Sequence, residues 1–388
     1  MNFDVFCSSR YQVQADMKKI LFILHLPPPV HGAAMVGKYI HDSEVINSEF
    51  DCNYINLTTA DSLEDIGKVG MRKLTAFVRL LVKIKRAVTE QKPNLVYITP
   101  NSAGGAFYKD FVVVMMLKRM GCKVVVHFHN KGVSKRQERM FDDLLYKRFF
   151  KGIKVILLGA SLYKDVEKYV KKEDFYICPN GIPPMNFHYK QNDSPFKSLN
   201  EVPRLLFLSN LIESKGVIVL LDALKILQDK GVSFVCDFVG GETAEMDAKR
   251  FNVEVEKRGL GEKAVYKGKK HGTDKLMEYG RTDIFVFPTY YSNECFPLVL
   301  LEAMEQGIPC VTTNEGAICN IIDDGANGFI VKRKDVHSLV DKIETLLTDK
   351  ELRTRMGENG RDKFRKEFTL EVFERKFVEI LSQVSKDS

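Results

Sequence analysis

Residues 283–312 read DIFVFPTYYSNECFPLVLLEAMEQGIPCVT and alternate between two patterns of regular structure. An apolar run of strand length at 283–288 precedes a segment with helical spacing at 298–306, and a second apolar run follows at 309–312. A strand, a helix and another strand in this order are typical of a parallel sheet, because parallel neighbours need a long crossover connection. This stretch therefore predicts an α/β fold.

The same alternation continues on both sides of this stretch. Apolar runs of strand length lie at 20–26, 95–99, 123–128, 154–158, 204–209, 233–240, 264–267 and 328–331, and helical segments at 35–40, 74–88, 107–120, 141–150, 216–228 and 370–384. The chain of 388 residues is longer than the roughly 250–300 residues at which a single core tends to split. We therefore predict two Rossmann-like, doubly wound domains that face each other across a cleft.

A polar, proline-containing stretch at 182–203 separates the two series of strands. We predict an N-terminal domain at 17–185, a linker at 186–203 and a C-terminal domain at 204–365. A final helix within 366–388 is expected to pack back toward the N-terminal domain. Residues 1–16 lack both patterns, so we expect them to be an extension outside the fold.

The net charge of +7 is concentrated in the first half of the chain. Residues 1–185 contain 28 Lys and Arg against 18 Asp and Glu, and many of the basic residues lie at 71–90 and 131–151 among apolar residues at helical spacing. Such a pattern is typical of a solvated helix face, and it also fits contact with an anionic membrane or a phosphate-bearing acceptor. The sequence leaves both interpretations open.

The cysteines and the hydropathy pattern predict a cytoplasmic protein. Eight cysteines are scattered without a CxxC pair, which is typical of reduced thiols in a core. No apolar stretch approaches the roughly 20 residues of a membrane-spanning helix. The basic and apolar start at 17–26 resembles a signal peptide, but prolines follow it where a cleavage site would lie.

Two glutamates at the start of the helical segment 298–306 form the strongest candidate site. Pro297 is typical of a first helical turn, which places Glu294 in the preceding loop and Glu302 in the second turn. A loop carboxylate can accept hydrogen bonds from sugar hydroxyls, and a helical one can bind the hydroxyls of a ribose. The exposed N-terminus of the helix offers N–H groups to a phosphate.

With its neighbours this region resembles family 4 of the retaining glycosyltransferases, which have the GT-B fold and are also called group 1 glycosyltransferases. The resemblance covers residues 17–385 and is densest at 204–331. It rests on the run from Glu294 to Met304 and on four further motifs, which are Pro179-Asn180-Gly181-Ile182, Ser209-Asn210-Leu211 with Lys215-Gly216, Phe238-Val239-Gly240-Gly241, and 307–331.

The resemblance implies a role for each matching residue. Lys215 would pair with the donor diphosphate, Glu294 would hold the transferred sugar, and Glu302 would hold the ribose. The donor-binding set comprises Gly32, Asn210, Lys215, Gly240, Glu294, Cys295, Phe296, Pro297, Leu298 and Glu302. Asn210 stands where the family usually has arginine, and an amide cannot neutralise a leaving diphosphate. Lys269, Lys270 and Arg281 are candidate substitutes.

The acceptor side is predicted from two segments of the N-terminal domain. Small residues in the loop after the first strand would let backbone amides approach a ligand. We therefore assign His31, Gly32 and Ala33 to the acceptor side. The alternative is that the small residues serve only the packing of the turn. The second segment resembles the family's Thr-x-His-Asp motif, with His129 in the histidine position, His127 in the threonine position and Asn130 where aspartate is usual, which assigns these three residues to the acceptor side. We expect His129 to act in catalysis together with Glu294 and Lys215.

The resemblance implies a metal-independent enzyme without a cofactor. The His-x-His pair at 127 and 129 invites a metal interpretation, but no further ligands are evident in the sequence, and the chain contains no Asp-x-Asp motif. The expected reaction is transfer of a hexosyl or N-acetylhexosaminyl group from a UDP- or GDP-sugar to a bacterial polysaccharide, lipopolysaccharide or capsule precursor. The alternatives are a sugar-nucleotide 2-epimerase that hydrolyses its substrate and a non-catalytic sugar-nucleotide-binding subunit. Nucleic acid is not an expected partner.

Overall fold

The computed structural model describes residues 17–28, 31–58, 71–185 and 202–386. The chain divides into two compact units, one comprising residues up to Gly181 together with Leu370–Ser388, and the other Ile182–Thr369. The division after Gly181 lies a few residues before the predicted one at 185. The predicted extension at 1–16 and most of the predicted linker at 186–203 lie outside the described residues.

The first unit is built on a six-stranded sheet in which all neighbouring strands are parallel. Its strands are β1 (Lys19–Leu24), β2 (Asp51–Asn56), β3 (Leu95–Ile98), β4 (Val124–Phe128), β5 (Lys154–Leu157) and β6 (Phe175–Ile177). They lie in the order β2-β1-β3-β4-β5-β6 across the sheet. The helices of this unit are α1 (Gly32–Asp42), α2 (Glu44–Glu49), α3 (Met71–Gln91), α4 (Gly104–Arg119), α5 (Met140–Phe150), α6 (Tyr163–Val166) and, from the end of the chain, α14 (Leu370–Lys386).

The second unit contains another six-stranded parallel sheet. Its strands are β7 (Arg204–Leu208), β8 (Val235–Val239), β9 (Ala264–Tyr266), β10 (Ile284–Phe287), β11 (Cys310–Thr313) and β12 (Gly328–Val331). Their order across the sheet is β12-β11-β10-β7-β8-β9. The helices are α7 (Val217–Asp229), α8 (Ala248–Lys257), α9 (Gly272–Gly280), α10 (Leu298–Glu305), α11 (Ile318–Ile321), α12 (Val336–Thr348) and α13 (Lys350–Glu367).

Most strands are continuous apolar runs because both faces of a parallel sheet are covered by helices. All residues of β3, β4 and β10 are buried, and so are five of the six residues of β1. The edge strand β2 is different, since only Ile55 of its six residues is fully buried. This half-exposed strand was absent from the sequence-based prediction because it lacks an apolar run.

The helix α14 belongs to the core of the first unit. Phe377 is fully buried, and its ring centroid lies 5.1 Å from that of Tyr97 on β3 and 6.4 Å from that of Phe22 on β1. Four more apolar or aromatic side chains of this helix are also buried, which are Phe373, Ile380, Leu381 and Val384. The chain thus leaves the first unit after Gly181 and returns to it at Leu370.

No helix within the described residues is long and apolar enough to cross a membrane.

Candidate functional site

Lys215 is positioned by a tight turn that follows β7 in the second unit. A short 3₁₀ helix, Glu213–Lys215, ends at Gly216, whose φ of +97° lies in the left-handed region. A Cβ on Gly216 would lie 2.4 Å from the carbonyl oxygen of Pro288, so only glycine fits this approach. The turn therefore lies against the segment that follows β10, where Glu294 is located.

Lys215 and Glu294 form an ion pair. Lys215 Nζ lies 2.5 Å from Glu294 Oε2, and both side chains are largely buried. The ammonium also lies 4.6 Å from the ring centroid of Tyr291 and 5.5 Å from that of Phe287, within cation–π range. The two groups predicted for the diphosphate and the transferred sugar thus lie together, and each offsets the other's charge. Tyr291 and Phe287 were not predicted, because nothing in the local sequence links them to Lys215.

Glu302 lies in the second turn of α10, as predicted, and both of its carboxylate oxygens are bound. Lys275 Nζ lies 2.6 Å from Oε1, and the Tyr279 hydroxyl donates to Oε2 at 2.8 Å. Tyr279 is fully buried, and burial next to this carboxylate raises the pKa of its phenol well above the usual value. Lys275 and Tyr279 on α9 therefore fix the orientation of Glu302. Their spacing of four residues on a helix is the only hint of this role in the sequence.

In the loop between Glu294 and α10, backbone atoms rather than side chains are available to a ligand. Cys295 and Phe296 are buried, and the ring of Phe296 packs against that of Phe368. Pro297 is an extended N-cap residue rather than part of the first turn, so the helix begins at Leu298. The carbonyl of Cys295 accepts a 2.7 Å hydrogen bond from the Ala317 amide. Any contact of Cys295 or Phe296 with a donor would therefore come from their backbone atoms.

The glycine turn after β8 is joined to the loop after β7. Gly240 has a φ of +155°, and a Cβ on it would lie 1.8 Å from the Ser209 carbonyl oxygen. The Asn210 amide oxygen accepts a 3.2 Å hydrogen bond from the Gly241 N–H. The position that a Cβ would take on Gly241 lies 3.0 Å from Asn210 Oδ1 and 3.7 Å from Lys269 Cδ. Lys269, one of the three cations predicted as substitutes for the family's arginine, thus lies beside Asn210.

In the first unit, four histidines gather where β1 and β4 end. His127 and His129 have ring centroids 4.3 Å apart, and those of His25 and His31 are 5.9 Å apart. Burial lowers the pKa of all four, to about 4 for His25 and about 3 for His129, with smaller contributions from neighbouring charges. At neutral pH the cluster is therefore uncharged. His25 was not predicted, although a polar residue directly after a buried strand is a recognisable signal.

His129 has a free ring nitrogen, as does His127, whose Nε2 atom also lacks a hydrogen-bond partner among the described residues. His129 follows β4 directly, is partly buried, and its Nδ1 atom has no hydrogen-bond partner among the described residues. His127, the other residue predicted on this strand, lies deeper. It is fully buried, and its Nδ1 lies 2.9 Å from the Tyr97 hydroxyl, so its side chain packs in the core of the first unit.

His31 and Asn130 are both engaged within the first unit. His31 is the N-cap of α1, because its Nδ1 accepts a 3.3 Å hydrogen bond from the Ala34 N–H. Asn130 Oδ1 accepts a 2.7 Å hydrogen bond from the Ser102 N–H. Both side chains thus stabilise loops at the edge of the sheet where the strands end, and Asn130 does so at the position where the family usually has aspartate.

The glycine that α1 needs for packing is not the predicted one. A Cβ on Gly32 would meet no described atom within 4 Å, whereas one on Gly37 would lie 2.0 Å from the His25 carbonyl oxygen. Gly32 and Ala33 begin the helix and are not fully buried, so their backbone is open to a ligand. Close packing against the His25 carbonyl therefore requires glycine at position 37, within α1, whereas no described atom lies within 4 Å of a Cβ on Gly32.

Among the residues that the structure describes, no three His, Cys, Asp or Glu side chains are grouped so that they could hold a metal ion.

Comparisons with known proteins agree with this architecture. The family described as Glycosyl transferases group 1 matches residues 190–363. The capsular polysaccharide biosynthesis glycosyltransferase CapM of Staphylococcus aureus is 27% identical over 212 residues, which are 54% of this chain and 54% of CapM. The chain thus spans about half the length of this curated relative.

Solved structures show the fold over nearly the whole chain. Sucrose-phosphate synthase from Thermosynechococcus elongatus superposes with a TM-score of 0.73 at 18% identity, covering 96% of this chain and 100% of that one. HepE of Anabaena, solved in complex with UDP and glucose, gives a TM-score of 0.69 at 17% identity and covers 94% of this chain and 99% of that one. Residues 190–363 are therefore similar to the glycosyl transferases group 1 family, and the chain has the GT-B fold.

Proposed function

We propose that the protein transfers a hexosyl or N-acetylhexosaminyl group from a UDP- or GDP-sugar to a bacterial polysaccharide, lipopolysaccharide or capsule precursor. The buried pair of Lys215 and Glu294 carries this proposal, because it joins a cation for a diphosphate to a carboxylate for sugar hydroxyls. The name of CapM supports an acceptor of the capsule class. The ligands of HepE, which are UDP and glucose in one structure and UDP-glucose in another, support a UDP-sugar donor.

The proposed chemistry assigns one task to each residue. Glu294 and Glu302 bind hydroxyls of the sugar and the ribose, and Lys215 with the N-terminus of α10 stabilises the diphosphate as it leaves. Transfer proceeds with retention of configuration: the bond from the anomeric carbon to the acceptor oxygen forms as the bond to the diphosphate breaks. The acceptor proton passes to a phosphate oxygen of the leaving group. A neutral His129 would hydrogen-bond to the sugar or the diphosphate.

We place this reaction in the cytoplasm and expect it to need no metal ion. The seven cysteines within the described residues are all free thiols, which favours a reducing compartment. Lys215 and the helix N-terminus are the groups that would take the place of a metal ion beside the leaving diphosphate.

The test is nucleotide release from a panel of UDP-, GDP-, ADP- and CMP-sugars in the presence of EDTA, with and without a lipid-linked glycan acceptor. We expect release from one donor, stimulated by the acceptor, and a loss of at least about a hundredfold in the Glu294→Ala variant. The matched control is Glu213→Ala, which removes an exposed carboxylate from the same 3₁₀ helix, two residues before Lys215. Near-normal turnover of Glu294→Ala would refute the assignment of the site.

Two other outcomes would replace the proposed function. Release that is independent of an acceptor, with a change of configuration in the sugar, would identify a 2-epimerase that hydrolyses its substrate. Donor binding without release, measured as a thermal shift, would identify a non-catalytic subunit.

A further inference from the structure

The exposed apolar side chains of the protein are concentrated on one layer of helices. Of the ten large apolar side chains that are exposed in the described part of the chain, seven lie on α3, α4 and α5. They are Leu74, Val78 and Val82 on α3, Val112 on α4, and Met140, Phe141 and Leu144 on α5. Met140 is 91% exposed, Phe141 63% and Val82 62%, so these side chains contribute little to the core.

The topology places the three helices side by side. The chain passes from β2 to β3, β4 and β5 in one direction across the sheet, and α3, α4 and α5 are the three connections. Right-handed crossovers in one direction put all three helices on the same face of the sheet. In agreement with this arrangement, α4 packs against α5, where the ring centroids of Tyr108 and Phe141 are 5.9 Å apart. We call the outward side of this layer the α3–α5 face.

All three helices expose both apolar and basic residues. Each helix follows a strand, so all three begin at the edge of the sheet where the strands end. On α5 the exposed residues run from Met140, Phe141 and Leu144 to Lys147 and Arg148. On α4 the exposed Val112 is followed by the exposed Arg119, seven residues later on the same side of the helix.

On α3 the apolar row is accompanied by basic residues along its length. Leu74, Val78 and Val82 are spaced by four residues and form one row, and Arg79 and Lys83 lie one position further round the helix. Arg79, Lys83 and Lys85 are exposed and form no ion pair with a described residue. The α3–α5 face therefore carries apolar and basic residues side by side on α3, whereas on α4 and α5 the exposed basic residues follow the apolar ones.

The charge balance of the layer is strongly positive. The three helices together contain eleven Lys and Arg against four Asp and Glu. Two of the four acids, Asp110 and Asp142, are buried beneath the layer, and Glu90 is paired with Arg86. Asp143 is bound by Lys147 and Lys168. The outward charge of this face is therefore basic.

We propose that the α3–α5 face docks onto an anionic lipid bilayer. Met140, Phe141, Leu144 and the row on α3 enter the boundary between headgroups and acyl chains, and the lysines and arginines behind them lie against lipid phosphates. The complementarity of charge selects an anionic surface over a neutral one. The apolar side chains are spread over three adjacent helices. A flat, fluid bilayer can accommodate them without pockets of complementary shape. This inference goes beyond the proposed function, and its test requires no sugar transfer.

The test is sedimentation of the full chain with vesicles. Vesicles of phosphatidylcholine with phosphatidylglycerol, mixed two to one, are compared with vesicles of phosphatidylcholine alone at low and at high salt. We expect binding to the anionic vesicles only, weakened by salt. The double variant Arg79→Glu with Lys83→Glu should bind at least about twentyfold more weakly, since each cation near an anionic surface contributes about fivefold. The double variant Met140→Ser with Phe141→Ser should bind at least about tenfold more weakly.

Matched controls separate this face from nonspecific effects of charge and hydropathy. Lys350→Glu with Arg355→Glu makes the same change of net charge at exposed positions of α13, and Val253→Ser removes an exposed apolar residue from α8. Both controls should bind vesicles like the wild type, and all variants should keep the melting temperature of the wild type. Equal binding of the α3–α5 variants and their controls would overturn the proposal. So would a change of oligomeric state in the α3–α5 variants without a change in vesicle binding, which would assign the face to a second copy of the chain.

Discussion

At the scale of single residues, two tyrosines hold the charged groups of the candidate site: the Tyr279 hydroxyl donates to Glu302, and the ring of Tyr291 lies within cation–π range of Lys215. Glu294 and Glu302 stand out because their spacing combines with a recognisable helix start. Tyr279 and Tyr291 lie at positions where an aromatic residue is ordinary core or loop, so their contacts with Glu302 and Lys215 emerge only from the tertiary structure. The burial of His127 could not be predicted for a related reason. Strand alternation gives the side of the sheet on which a residue lies, whereas its burial depends on α14, whose Phe377 covers it.

The histidine cluster makes the first unit sensitive to acid. Burial is the main cause of the lowered pKa values of His25 and His129, and for His25 Asp110 opposes it while Lys109 and His31 add to it. In the unfolded chain these imidazoles bind protons below about pH 6.5, but in the folded unit they do so only near pH 4 and pH 3. Their stabilising contribution is therefore complete above about pH 6.5 and declines as the pH falls toward 4.

Urea unfolding at pH 7 and pH 5 measures this effect. For each histidine we expect the unfolding free energy to fall by up to about 1.4 kcal/mol per pH unit within that range. The double variant His25→Asn with His129→Asn should lose less stability between the two pH values than the wild type. An unchanged difference between pH 7 and pH 5 in the variant would show that other groups cause the acid sensitivity.

At the scale of elements, the sequence is most informative where a strand is fully buried. The runs at β1, β3, β4 and β10 were predicted within one or two residues, because burial on both faces leaves no polar residue to interrupt them. The edge strand β2 and the short helices lack such a run. The sequence also did not reveal where two elements approach closely at a glycine, because in the sequence such a glycine cannot be told from one in an open turn. Gly37 and Gly316 are contacts of this kind, whereas Gly32 and Gly325 are open.

Gly316 links α11 to the loop that carries Glu294. It has a φ of +59°, and a Cβ there would lie 2.4 Å from the Glu294 carbonyl oxygen and 2.6 Å from that of Cys295. Gly316→Ala should therefore displace this loop and weaken donor binding. Gly325→Ala is the matched control, because Gly325 also has a positive φ, of +80°, but no described atom lies within 4 Å of the added Cβ.

The two glycine variants are compared by thermal melting with and without the nucleotide-sugar donor. Both should lose about 1–2 kcal/mol of stability, because an alanine is strained in the left-handed region, with a further loss for Gly316→Ala. Only Gly316→Ala should lose the stabilisation that the donor provides. An equal donor-induced shift in both variants would show that the Glu294 loop tolerates the displacement.

At the scale of the whole molecule, repetition of strand and helix predicted two parallel α/β units, but not the residues at which the chain passes between them. The strand patterns stop and restart around 182–203, so they locate the division only to within that stretch. The structure divides the chain after Gly181 and assigns Leu370–Ser388 to the first unit. Which side chains of the first unit contact α14 depends on side-chain packing that no local pattern encodes.

Phe377→Ala tests the membership of α14 in the first unit. The variant should lose about 3–5 kcal/mol of stability, because it leaves a cavity beside Tyr97 and Phe22. Hydrogen exchange should show lost protection in peptides from β1 and β3. The reciprocal control is Phe251→Ala in the second unit, where the ring packs 4.8 Å from that of Phe238, and there the loss should fall on β8. Loss of protection in β7 and β8 of Phe377→Ala, with β1 and β3 unchanged, would contradict this assignment.

The return of α14 to the first unit also sets the order in which the protein can mature during synthesis. The ribosome makes the strands of the first unit, then about 190 residues of the second unit, and only afterwards the helix that covers Phe22 and Tyr97. At about 5–20 residues per second this interval lasts roughly 10–40 s. Throughout that time the nascent first unit presents an uncovered aromatic surface, which makes it a natural client for a chaperone at the ribosomal exit.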